Sequence, residues 1–295
     1  MMACCGDAEG VRTGLACAWP SFRVQYGHLA EGQSRRTVAD CYAPERLVKR
    51  GWKGRAIAST GCHPWDVSPA EAVCIQQALR DRVVVRPLER PPCTIGGLDV
   101  HGDWGAVAVL SFPDLCWLGG AVARCPTSFP YIPGLLAFRE LPVLLAAIAQ
   151  LGCVPDLFLC DGQGLAHPRR FGIACHLGVW IGRPSVGCAK SWLRGAGVTP
   201  DHEAESRLQP GPQRGQVADL MDGPEVVGAV LRTQANVRPV YVSVGHLIDL
   251  TDALRVVLEC APRYRLPEPL RVAHRMARDA SCRAAPRASL QTDIS

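Results

Sequence analysis

The stretch Ile95-Gly-Gly-Leu-Asp99-Val100-His101-Gly102, together with Ala106–Phe112 and Leu115–Ala123 behind it, decides the fold class. Ile95–Val100 is a short apolar run carrying one acid near its end, which reads as a buried strand. A turn at His101–Gly102 leads into a second apolar run, and Pro113-Asp114 turns it into a third. Three strands with connections this short predict an antiparallel meander.

Working outward, the pattern changes character. Val143–Leu151 is apolar and alanine-rich with Pro142 just ahead, which predicts a helix holding the proline in its first turn. Leu157–Cys160 is a four-residue strand ending on Asp161, Phe171–Ile181 reads as a helix, and Ser185–Cys188 is another buried strand leading to Lys190. Val226–Leu231 and Val240–Val244 are expected to pair as late strands, followed by helices at Asp249–Glu259 and Pro267–Arg278. Upstream, Asp66 or Ser68 is placed to cap a helix through Glu71–Arg82, with Ala70, Val73, Ile75, Ala78 and Leu79 as its apolar stripe. Val83–Pro92 is a connector, and Gly195–Arg214 is polar and rich in Pro and Gly, as a surface loop would be. A meander, then βαβ units, then helices, predicts a mixed α/β sheet with helices on its faces.

The 295 residues are 48% hydrophobic and 20% charged, an ordinary globular composition without repeats or heptads. No apolar run approaches the roughly 20 residues a bilayer requires. The net charge of +5 is unevenly spread. Residues 1–60 hold nine basic and five acidic groups, residues 263–295 seven and three, and residues 61–262 sixteen and nineteen. The basic excess therefore lies in the flanks, and a central domain of this kind would hold a polyanion through a few placed cations, with a shallow salt dependence. Fifteen cysteines, odd in number and without a C-x-x-C pair, predict buried reduced thiols in the cytoplasm rather than disulfides or zinc. Early acids at Asp7 and Glu9 interrupt any signal peptide. Residues 1–60, with Arg35-Arg36 and Lys49-Arg50 among Gly and Ser, read as an accessory or poorly ordered extension, or as a small basic arm for nucleic acid. The catalytic domain is expected over residues 61–280 and a flexible tail over 281–295.

The chemistry-bearing residues sit at strand ends, where ligands bind in open α/β sheets. Asp99 and Asp161 both terminate apolar strands, and two neighbouring carboxylates repel unless a divalent cation stands between them. Taken singly, each is as well explained as a turn or cap residue. Asp161-Gly162-Gln-Gly164-Leu-Ala-His167-Pro-Arg169-Arg170 is the densest segment. Its glycines allow close backbone approach with exposed N–H groups, and His167 and the arginine pair are donors suited to phosphate. In Phe129-Pro130-Tyr131-Ile132-Pro133-Gly134, two prolines bracket an aromatic and an aliphatic side chain. That is a rigid apolar wedge able to part stacked bases, or else a packing turn before a helix. Glu140 either extends a metal site or complements a helix dipole. Only three of the 32 basic residues are lysines. Lys190, alone in the core, offers a compact charge that arginine does not.

The series Ile-Gly-Gly-Leu-Asp-Val, Pro-Tyr-Ile-Pro-Gly-x-Leu-x-Phe-Arg-Glu, Asp-Gly-x-Gly-x-x-His-Pro-Arg, Val-Gly-x-Ala-Lys and Tyr-Arg-Leu-Pro-Glu-Pro, from His63 to His274, resembles the endonuclease V family. The resemblance implies an RNase H-like fold and an Mg²⁺-dependent endonuclease, with Mn²⁺ able to substitute. Such an enzyme recognises deoxyinosine in DNA repair and cuts the second phosphodiester on its 3′ side, leaving a 5′-phosphate. It implies that Asp99 and Asp161 ligate the metal, that Glu140 completes the acidic site, and that His274 fills a fourth position that varies between Asp and His. Lys190 would stand beside the scissile phosphate, His167 would contact the nucleic-acid backbone, and Tyr131, within Pro130–Pro133, would be the wedge. Backbone groups near Gly134, Gly162 and Gly164 would read the extruded base. His101-Gly102 departs from the family's usual small and aromatic pair. A monomer is expected. Two alternatives stand beside this one: an endoribonuclease specific for inosine in RNA, and a catalytically silent nucleic-acid-binding module.

Overall fold

The computed structural model describes residues 63–193 and 209–284. The extension 1–60, residues 195–208 of the expected loop and residues 285–295 of the expected tail lie outside the described residues. Ser68 caps α1 (Pro69–Leu79) through a reciprocal pair of bonds with Glu71, so Ser68 rather than Asp66 starts this helix. Its fully buried residues are Ala72, Gln76 and Leu79; of the expected stripe Leu79 is buried, Val73 and Ile75 pack partly against the core, and Ala70 and Ala78 are exposed. A 3₁₀ turn at Arg80–Arg82 ends it.

One eight-stranded sheet organises the rest. Its strands are β1 (Thr94–His101), β2 (Trp104–Ser111), β3 (Trp117–Arg124), β4 (Leu157–Cys160), β5 (Ser185–Ala189), β6 (Val217–Asp222), β7 (Glu225–Leu231) and β8 (Val240–His246), in the order β3-β2-β1-β4-β5-β8-β7-β6. β1, β2 and β3 form the expected antiparallel meander, with β3 starting two residues later than the apolar run because Leu115 adopts a turn conformation at φ 56°. β1, β4 and β5 are parallel neighbours, and β8 returns antiparallel beside β5. β7 pairs with β8 as expected, but β6 was not anticipated.

Helices cover both faces. α2 (Leu136–Ile148) and α3 (Ile173–Ile181) pack with α1 on one face, around Phe138, Leu141, Leu144, Phe158 and Leu177. α4 (Leu250–Glu259), capped by Asp249, lies over β7 and β8 on the other face. α5 (Glu268–Ala284) lies over β1 and β2 beside it. α2 begins seven residues earlier than Pro142 suggests. Proline lacks the N–H that the carbonyl four residues back would receive, yet Ala137, Phe138 and Leu141 are all buried, and that burial holds the helix across the defect. α5 runs on to Ala284, past the expected end at Arg278. It settles tightly on β1 because Gly97 has no side chain: a Cβ there would stand 2.1 Å from the Pro269 backbone. No described helix is long and apolar enough to cross a membrane, and every described cysteine is a free thiol.

Candidate active site

Three adjacent parallel strands deliver three functional side chains to one edge of the sheet. Asp99 lies near the carboxyl end of β1, Asp161 directly follows β4, and Lys190 directly follows β5. The alignment follows from hydrogen bonding, since Leu98 is the residue of β1 that pairs with Cys160 of β4. Glu140 reaches the same place from the second turn of α2 and His274 from α5.

The electrostatics are those of crowded carboxylates. Burial, then the charge of Asp161, raise Asp99 to about 6, against the pull of its hydrogen bond with His274. Burial again, then the charges of Asp99 and Asp161, raise Glu140 to about 8. The protein's own hydrogen-bond donors answer part of this. Lys190 Nζ donates to Asp161 Oδ2 at 2.5 Å, and His274 Nδ1 lies 2.7 Å from Asp99 Oδ2. Burial alone would lower Lys190, but Asp161 and Asp99 outweigh it and hold the ammonium above its ordinary value. Among the described residues, no three His, Cys, Asp or Glu side chains already close around a position for an ion. The acids are gathered, and the chain's own donors occupy two of them, Lys190 on Asp161 and His274 on Asp99.

Beside this crevice lies a cleft of about 250 Å³, lined by Tyr131–Gly134, Asp161–Gln163, Ile173 and Lys190 among others. Tyr131 stands at its edge with 71% of its surface exposed, while Ile132 packs partly into the core. The loop carrying them is fixed at both ends. Arg139 Nη1 donates to the Phe129 carbonyl at 2.8 Å. The Gly134 carbonyl accepts from Gln76 Nε2 at 3.0 Å, His167 Nε2 at 2.9 Å and Arg169 Nη2 at 2.7 Å. The backbone N–H of Arg169 donates to His167 Nδ1, which fixes the tautomer with the proton on Nε2. Gln76 Oε1 also accepts from Arg169 Nε at 2.6 Å, so two of the donors on the Gly134 carbonyl are bonded to each other.

These bonds correct three expectations. Both nitrogens of His167 are engaged inside a buried ring, leaving none for a nucleic-acid backbone. Arg169 and Arg170 are likewise committed, the latter to Asp222 at 2.7 Å and Glu225 at 2.8 Å in the β6–β7 hairpin. The N–H groups of Gly162 and Gly164 are spent on Cys160 O and Ser243 Oγ, so they do not face a base. Gly164 is required by packing instead, because a Cβ would stand 2.0 Å from the Val244 carbonyl oxygen. Gln76 escaped the sequence reading altogether.

Carboxylates crowded at the ends of parallel strands, next to a lysine and an open cleft, are a donor set for a cation that would in turn receive an anionic phosphodiester, and the sheet that carries them is RNase H-like. The protein is of the nuclease class. A family profile described as endonuclease V matches residues 77–275, and the chain belongs to that family. It is 50% identical over 218 residues to endonuclease V of Roseiflexus sp. (strain RS-1), covering 72% of this chain and 94% of that one. It is 46% identical over 222 residues to the Nostoc sp. (strain PCC 7120) protein, covering 73% and 96%. Among solved structures it resembles endonuclease V of Streptomyces avermitilis, with TM-score 0.67, 42% identity, and coverage of 75% and 96%. Ciona intestinalis endonuclease V, crystallised with a 23mer DNA containing an inosine followed by a ribo-adenosine, matches with TM-score 0.67 at 26% identity, covering 74% and 100%.

Proposed function

We propose that this chain is a divalent-metal-dependent endonuclease that recognises hypoxanthine in DNA and hydrolyses the second phosphodiester on its 3′ side. The observation that carries the proposal is the set of three mutually repelling carboxylates, Asp99, Glu140 and Asp161, beside a cleft edged by the exposed Tyr131. This donor set is all oxygen and fits a hard cation, because a double positive charge among the acids reverses the repulsion that raises two of them. Asp99, Asp161 and Glu140 would hold the ion, with Mg²⁺ as the natural occupant and Mn²⁺ as a substitute. Bound there, it supplies Lewis-acid stabilisation of charge on the phosphate and on the departing 3′-oxygen.

The chain's own groups do the rest. Tyr131 enters the stack where a base has left it, and the rigid Pro130–Pro133 backbone keeps the ring presented. A base paired as a mismatch leaves the stack at lower cost, which favours hypoxanthine over an ordinary purine. Lys190 supplies positive charge to the non-bridging phosphate oxygens, and His274 keeps Asp99 oriented. Water attacks phosphorus in line, the bond from phosphorus to the 3′-oxygen breaks, and the products carry 3′-hydroxyl and 5′-phosphate ends. Gly134 and Gly162 shape the cleft wall.

The test is nicking of inosine-containing oligonucleotides in Mg²⁺. Asp161→Ala should abolish it while strand binding persists. A second reading, inosine in RNA as the substrate, is favoured by the ribo-adenosine that follows the inosine in the Ciona complex. Matched DNA and RNA strands, cut side by side, decide between them: faster cutting of RNA would replace the DNA assignment.

A further inference from the structure

Asp161 and Lys190 form a wall between two openings. One is the wedge cleft. The other is a groove of about 340 Å³, whose lining beyond that wall is Leu266, Leu270, Arg271, His274, Arg275 and Arg278. The three arginines fall at helical spacing on one stripe of α5, so their guanidinium groups line a single path leading away from Asp161. Asp161 is the sole carboxylate among the lining residues, and Lys190 already occupies it. Arg271 is braced by Glu268 at 2.6 Å and lies over the Tyr264 ring at 3.4 Å, which fixes its planar group against the groove. Arg278 has Asp279 beside it at 3.4 Å and remains half exposed. The sequence places the basic excess in the two flanks, and α5 brings three arginines of the second, Arg271, Arg275 and Arg278, to the rim of the site.

We infer that this groove is a phosphate track for the part of the strand that continues 3′ of the cut. The inference rests on the proposed function, which places the base in the wedge cleft and the scissile phosphate at Asp161 and Lys190. A strand crossing that wall in the 5′ to 3′ direction passes from the wedge cleft into the α5 groove. Arginine forks pair with phosphate oxygens in a bidentate manner and carry no base information, so the track sets register and direction without sequence preference.

The test uses the full chain carrying Arg275→Gln and Arg278→Gln together, with Arg275→Lys and Arg278→Lys as a charge-preserving pair. Arg90→Gln is the control, since Arg90 sits beside Asp156 at the opposite edge of the parallel strands. Binding of labelled single strands with one inosine is followed by fluorescence anisotropy in EDTA across a salt series, and nicking is followed separately in Mg²⁺. For strands with a long 3′ flank, the slope of log affinity against log salt should fall by about 0.7 for each arginine removed, with about tenfold weaker binding at moderate salt. Strands that end one nucleotide past the cut should bind wild type and variant alike, and the lysine pair should keep the wild-type slope. An unchanged slope, an equal loss on strands lacking the 3′ flank, or a loss that follows the 5′ flank would overturn the track. Wild-type protein that binds with the 3′-flank dependence but nicks no inosine strand in Mg²⁺ would overturn the proposed function instead and leave the track standing.

Discussion

The wedge loop and the carboxylate crevice adjoin along one cleft, yet they are held in opposite ways. The loop is locked before any substrate arrives: Arg139 holds Phe129, three donors converge on the Gly134 carbonyl, and two prolines limit what lies between. Every buried donor there has its acceptor, which is the condition under which a polar network rigidifies a structure. In the crevice, burial and mutual repulsion raise Asp99 and Glu140, and Lys190 offsets the charge only in part while His274 hydrogen-bonds Asp99. The loop is preorganised within the chain, whereas the crevice gathers more negative charge than Lys190 offsets. The contrast predicts that changes in the crevice cost activity without costing stability, and that changes in the lock cost stability and substrate binding ahead of turnover.

The largest effect belongs to the crevice. Asp161→Ala should lower nicking by about a thousandfold or more. Asp99→Asn should do likewise while its melting temperature holds or rises, since it removes a buried charge from a repelling set. Calorimetry showing a marked loss of stability in Asp99→Asn would break the comparison. Acid should act on three buried histidines, of which His167 belongs to the lock. Burial holds His167 and His246 down to about 4 and His176 well below its ordinary 6.5, so all three fold in the neutral form. Below pH 6.5 the unfolded chain takes up protons that the folded one refuses, and stability is lost as pH falls. The loss approaches about 1.4 kcal/mol per pH unit for each histidine and ends near pH 4 for His167 and His246. Asp99 and Glu140, raised in the folded chain, oppose this loss over the same range, so urea titrations between pH 7 and 5 are run on the chain carrying Asp99→Asn and Glu140→Gln, where a flat profile would count against the buried neutral rings.

Gln76→Leu is smaller and sharper. It removes a donor to Gly134 and the acceptor of Arg169, and should cost about 1–3 kcal/mol of stability. KM for inosine strands should rise more than kcat falls, because the wedge loosens while the crevice stays intact. Equal losses in both constants would mean the lock and the crevice are not separate. Last comes Tyr131→Ala. An exposed ring that supports nothing should leave the melting temperature unchanged, yet weaken the preference for inosine over adenosine strands by roughly tenfold, as a lost stacking contact would. Competition between the two strands reads that ratio directly.

The crevice was more legible in the sequence than the lock. Asp99, Asp161 and Lys190 follow short apolar strands, and parallel pairing brings such ends together, so local pattern and topology pointed the same way. Glu140 was harder: Pro142 signalled a helix start, and only the burial of Ala137, Phe138 and Leu141 shows that the helix is already under way. Gln76 gave no signal because a glutamine on an amphipathic helix is normally solvated. Its burial depends on Gly134 and Arg169, 58 and 93 residues away. His167 and the glycines at 162 and 164 were correctly singled out as unusual, but donors suited to a ligand are equally suited to a neighbouring carbonyl. β6 escaped because an edge strand with Leu220 as its one buried side chain carries almost no alternation.

Nucleotide-resolution mapping of the cut, with Mg²⁺ and with the metal chelated, tests the central claim most directly. One inosine in an otherwise ordinary DNA strand should give a single product ending in 3′-hydroxyl at the second phosphodiester 3′ of the lesion, and no product in EDTA. Undiminished cutting without a divalent ion, or cutting indifferent to the inosine, would contradict the account.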